Sequence, residues 1–158
     1  MNVEIFFFQT NRKEVERILG TPKDDDGTVN YESDDALVHI LYSTGSCKPD
    51  RLDRGKYAVA KDMVIWYWVV LKKMMDLSAM DLTNGDYVRS IEPHIAKSFN
   101  YDNAKKGIRV ETRTIKGEEK ISSIYFDPTL KMKRRARCKV SWLNYSKLAV
   151  SPLNRQGR

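Results

Sequence analysis

Histidine and cysteine are scarce in this chain of 158 residues, with two of each. His39 and His94 stand alone, without the spacing of metal ligands. Two thiols without histidine partners do not complete a four-ligand zinc site. No serine, cysteine or lysine is paired by spacing with a general base, and no glycine-rich phosphate loop is present. The chain is therefore expected to lack catalytic residues, metal ligands and cofactors, and not to be an enzyme. Long apolar runs are missing too. The greasiest stretch, residues 63–71 with Trp66, Tyr67 and Trp68, falls far below the roughly 20 residues of a membrane-spanning helix. Ile5 to Phe8 is too short for a signal-peptide core and has no basic segment before it.

What the chain does contain is a globular mixture, 41% hydrophobic and 31% charged, of a length that fits one domain with a real core. Its net charge of +7 is unevenly placed. Residues 1–127 hold nineteen basic and all twenty-one acidic side chains, a balance of −2, whereas residues 128–158 hold nine basic and no acidic ones. Lys131, Lys133, Arg134, Arg135, Arg137 and Lys139 are the dense part of that segment, and they are the candidate anion-binding residues. The bland alternative is a solvated basic tail. The even cysteine count permits one long-range disulfide between Cys47 and Cys138, and equally two separate thiols.

Along the chain, residues 3–9 read as an opening strand with two apolar faces. Thr10 or Asn11 then offers a helix N-cap, and Asn11 with Glu14 three residues on resembles a capping box. Val15, Ile18 and Leu19 form one apolar stripe, Gly20 suits the helix end, and Pro22 blocks continuation. A helix of about two turns is marginal alone, so it must dock on something apolar. Asp24, Asp25 and Asp26 are consecutive and lack the alternating frame of a calcium loop, which favours a solvated turn. Residues 28–32 and 37–42 read as a hairpin. Residues 48–62 form the longest loop candidate. Residues 63–72 read as a central strand, with Trp66 and Trp68 on one side, either as sheet-face packing or as a stacking platform for bases or sugars. Residues 87–91 and 95–101 are weaker strand or helix candidates. Residues 108–113 and 121–126 form a second hairpin. Residues 139–158 end the chain as a basic tail, partly disordered at its tip.

The string TNRKEVERILGTP, followed by a turn and a tyrosine-bearing strand, resembles the opening repeat of β-lactamase-inhibitor-protein-like and SmpA/OmlA-like domains. Those open with a capped helix ending in Leu-Gly-x-Pro, here Leu19 to Pro22, and then a hairpin. Asn30 and Tyr31, the strand end Tyr42-Ser43-x-Gly45-x-Cys47, residues 62–72, the hairpin from Gly107 to Tyr125 and the closing Cys138 look like a group of uncharacterised bacterial exported proteins. The resemblance covers about residues 9–138. It implies an α+β fold, with short helices packed on one face of an antiparallel sheet, in a single domain over residues 1–138. It also implies export and, with it, a Cys47–Cys138 disulfide. As written the start carries no export signal, so the expectation is an envelope location if the start is truncated and a cytoplasmic one otherwise.

Two functions remain after these exclusions. The first is a non-enzymatic, envelope-associated module that meets a protein partner through its sheet face or the 48–62 loop. The second is binding of nucleic acid or an anionic surface through residues 131–139.

Overall fold

The computed structural model describes residues 5–48, 50–83 and 85–138. The basic tail of residues 139–158, Lys139 included, lies outside them. An antiparallel sheet of eight strands dominates the fold, in the spatial order β1-β2-β3-β4-β8-β7-β6-β5. The strands are β1 Asp24–Asp25, β2 Val29–Glu32, β3 Ala36–Tyr42, β4 Val64–Asp76, β5 Val88–Ile91, β6 Ser98–Asn103, β7 Ile108–Ile115 and β8 Glu118–Phe126. Two meanders, β1 to β4 and β5 to β8, are joined where β4 pairs with β8.

The helix α1, Arg12–Leu19, starts where its sequence says. The Asn11 side chain accepts from the Glu14 amide, and the Glu14 carboxylate accepts from the Asn11 amide at 2.8 Å. That reciprocal cap satisfies two otherwise orphaned donors. Val15, 0% exposed, inserts among Val29, Tyr31, Ile40, Tyr42 and Val64. On the same side of the sheet, further along, Tyr101, Val110 and Ile121 pack with Leu82 from the segment that follows β4. This is the helix face. Residues 5–9 do not form the opening strand suggested by their apolar run. They turn back, with the Thr10 amide donating to Phe6 O at 3.0 Å and Phe8 at φ 64°, while Phe7 packs at the edge of the core under α1.

Among the described residues the opposite face is covered at one end only. Leu41 and Ile65 are buried there with Tyr57 and Ala136, and Leu52 and Val59 pack against them. A bulge opposite Leu41 and Tyr42 leaves Ile65 unpaired and turns it to the same side as Trp66, as an extra residue does. The 44–62 segment is thus a cover rather than a free loop. A disulfide between Cys47 and Cys138, with Cα atoms 5.6 Å apart, ties it to the residues after α2, Leu130–Arg135. The Ala58 amide donates to Ala136 O at 2.6 Å. At Gly55 a Cβ would meet Lys48 O at 1.9 Å, so this crossing requires glycine.

Among the described residues the helices do not share one face. α1 lies over Ile40, whereas Ala136, just after α2, packs with Leu41. Successive residues of a strand point to opposite sides, and that alternation separates the two covers. The fold is therefore sheet-dominated, with a helix or loop on each side.

Both covers are open to direct tests of stability. Cys47→Ser with Cys138→Ser should lower the free energy of unfolding by about 2–5 kcal/mol, because the bond spans 91 residues of otherwise unconstrained chain; urea denaturation of the oxidised protein and the variant measures it. Val15→Ala should cost roughly 2 kcal/mol through lost burial and a cavity under α1, read in the same urea titration.

Candidate functional site

One row of paired residues crosses the whole sheet on the face opposite α1. Asp24 pairs with Asn30, Asn30 with His39, His39 with Trp68, Trp68 with Tyr125, Tyr125 with Arg109, and Arg109 with Asp102. Each of these pairs places its side chains on the same side. The row is bonded along much of its length. Asn30 donates its amide to Asp24 and meets His39 Nδ1 at 2.5 Å. With the Asn30 oxygen as acceptor, Nδ1 carries the imidazole proton. His39 and Trp68 stack with ring centroids 4.1 Å apart, and Trp66 lies 4.5 Å from Trp68. Trp68 and Tyr125 are nearly parallel at 6.4 Å. The Tyr125 hydroxyl donates to Glu111 Oε2 at 2.9 Å, and burial followed by this carboxylate pushes its pKa up to about 12. Arg109 donates to Asp102 at 2.7 Å.

Trp66, Trp68, His39 and Tyr125 are each half-buried. Neighbouring rings lie against them, and part of each ring remains open to solvent. The sequence pattern put Trp66 and Trp68 together on one side; it did not place Tyr125 or His39 beside them, because those contacts come from strand pairings across 57 and 29 residues of chain. Only the period-two alternation within β8 could have hinted that Tyr125 faces away from Ile124.

Where the row meets α2 the surface dips into a cleft of about 330 Å³, floored by Trp66 and Tyr125 and walled by Asn103 and Leu130. A second cleft of about 320 Å³, lined by Leu41, Tyr57 and Ile65, shares Trp66 and Asp127 with the first. Gly107, at φ 68°, packs under Asp127, whose carbonyl a Cβ would meet at 2.0 Å, and this close approach shapes the lip of the first cleft. Asn103 is 1% exposed; its side-chain oxygen accepts from the Lys106 amide at 3.1 Å, and its side-chain nitrogen has no hydrogen-bond partner among the described residues.

The six candidate anion-binding residues are only partly gathered. Lys131, Arg134, Arg135 and Arg137 are exposed on or just after α2. Lys133 is instead ion-paired with Asp127, and Lys139 lies outside the described residues. Three of the basic residues sit in the last turn of α2, where a positive charge complements the helix dipole. Two of the aspartates at 24–26 are engaged otherwise than as ligands: Asp24 holds Asn30 and Asp25 accepts from Arg12 at 2.7 Å. No three histidine, cysteine or acidic side chains lie together as a metal site among the described residues. No helix among them is long and apolar enough to cross a membrane. His94 is exposed on the turn before β6.

No family model, curated protein or solved structure matches this chain.

His39 supplies a pH test. Burial lowers its pKa below the ordinary histidine value, the nearby Asp24 opposing weakly. A lowered folded-state pKa means that the unfolded chain takes the proton first. Stability should therefore be full above about pH 6.5 and fall as pH drops through the folded pKa of His39. His39→Gln should remove that part of the slope, as measured by chemical denaturation at stepped pH.

Proposed function

We infer that this chain is a non-enzymatic binding module that presents the Trp66–Trp68–Tyr125 side of its sheet to a protein partner. The observation that carries the reading is that row itself: four half-open rings held rigid by stacking and by hydrogen bonds. Rigid aromatic side chains bring large contact area at little entropic cost, and they are enriched at the cores of protein interfaces. The 48–62 loop, first considered as an equal candidate, is fastened by a disulfide and by Tyr57, Leu52 and Val59. It serves the face as a wall, which favours the sheet itself as the contact. The Cys47–Cys138 bond supports an oxidising, envelope-type compartment. The resemblance of residues 9–138 to β-lactamase-inhibitor-protein-like and SmpA/OmlA-like domains, which bind proteins or act as assembly factors, points the same way.

A second reading has its own observation. The side chains of Lys131, Arg134, Arg135 and Arg137 project from α2 and the residue after its cap, exposed to solvent. Clustered cations of this kind give salt-dependent affinity for phosphates or anionic lipid.

The two readings separate in one experiment. A photoreactive residue at position 70, two residues along β4 on the same face, should yield a protein adduct in an envelope extract, and adding Trp68→Glu to that protein should abolish capture of the partner. Charge reversal at Lys131, Arg134, Arg135 and Arg137 should leave capture unchanged. Loss of capture only in the charge-reversed protein, together with loss of duplex DNA or anionic-vesicle binding at low salt, would move the function to α2.

A further inference from the structure

We propose that the paired clefts around Trp66 form a binding groove for an uncharged saccharide, with one sugar ring stacked on Trp66 and Tyr125 and its hydroxyls met by Asp102 and Asp127. This goes beyond the protein-partner reading and does not rest on it.

Shape comes first. The two clefts, about 330 and 320 Å³, share Trp66 and Asp127, so they form adjoining compartments of one groove. Each is at the lower end of the volumes that hold small ligands, and together they fit a short oligomer better than a single compact molecule. Aromatic residues mark both compartments, Tyr125 in the first, Tyr57 in the second and Trp66 where they meet.

Charge decides the class of ligand. The cations lining the two clefts are Arg109, Lys133 and Lys56, and each has its own carboxylate. Arg109 is paired with Asp102, Lys133 with Asp127, and Lys56 with Asp53. Among the described residues the groove carries no uncompensated charge, although four exposed cations stand on and after α2. A nucleic-acid strand needs free cations along its backbone track, and here it would meet three carboxylates. A polyol needs the opposite arrangement. Its C–H faces lie against the electron-rich faces of aromatic rings, and its hydroxyls both donate and accept. Carboxylates engaged by one cation retain free acceptor positions, and Asp102 and Asp127 both line the first cleft. Stacking surface and spare acceptors thus converge on a neutral, hydroxyl-rich ring.

The test is a titration of the oxidised full-length protein with neutral tetrasaccharides of glucose, mannose, galactose and N-acetylglucosamine, followed by calorimetry and by tryptophan fluorescence. A sulfated tetrasaccharide and a single-stranded oligonucleotide are run beside them. At least one neutral sugar should bind and perturb the fluorescence. Trp66→Ala should weaken it by roughly tenfold or more, the usual scale for losing a stacking platform. Trp66 also packs against the buried cluster beneath the 44–62 cover, so a second variant guards against simple unfolding. Leu130 is 65% exposed, and Leu130→Asp changes the cleft wall without touching the core. It should weaken sugar binding while the urea midpoint stays put. The proposal is overturned if no neutral tetrasaccharide binds, if the sulfated sugar or the oligonucleotide binds better than all of them, or if both variants bind as the parent does.

Discussion

His39 opposite Trp68, and Trp68 opposite Tyr125, is the pairing from which the rest of this structure follows. Side chains alternate along a strand, so a slip of one residue would exchange the two faces entirely. In the observed register Ile40, Tyr67 and Val110 go to the helix face, where α1 and the segment after β4 bury them or pack against them. The same register sends His39, Trp68, Tyr125 and Arg109 to the other side. Among the described residues, the two short helices and the 44–62 segment do not cover both faces, and the part left uncovered is the part built from aromatic and paired polar residues. The composition of that part is a consequence of register.

The partial cover on that side is held by long-range constraints rather than by a large core. The 44–62 segment contributes Leu52, Tyr57 and Val59 to a small cluster, and its backbone is polar. Its place is set by the Cys47–Cys138 bond, by the Ala58 hydrogen bond to Ala136 and by Gly55 at the crossing. A disulfide acts mainly by narrowing the unfolded ensemble, which is the help a loop with few apolar contacts needs. Where thiols stay reduced, the wall beside Trp66 loses its fastening.

Local chemistry was legible and distant pairing was not. Asn11, Glu14, Gly20 and Pro22 announce α1 because capping and termination act within a few residues. The hairpin of β7 and β8 announces itself by alternation around Lys116 and Gly117. β4 runs four residues past the strand expected over 63–72, to Asp76, because Met75 and Asp76 pair with Ile121 and Lys120 after an irregularity, a contact that no local pattern encodes. Residues 5–8 mislead for a related reason: four apolar residues in a row suit a strand, but the backbone touches the start of β4 only through Phe8, Thr10 and Asn11 and turns to fill the edge of the core. The joining of β4 to β8 is what brings Tyr125 to Trp68, and it lies in topology. The candidate site was therefore half visible, as Trp66 and Trp68 alone.

The most direct measurement is a set of through-space proton contacts from the Trp68 indole in the oxidised protein, by NMR. The account predicts contacts to His39 and Tyr125, and none to Val15 or Tyr31. Contacts from Trp68 to Val15 or Tyr31 would place the ring under α1, shift the β3–β4–β8 register by one residue and remove the aromatic face on which the functional reading stands.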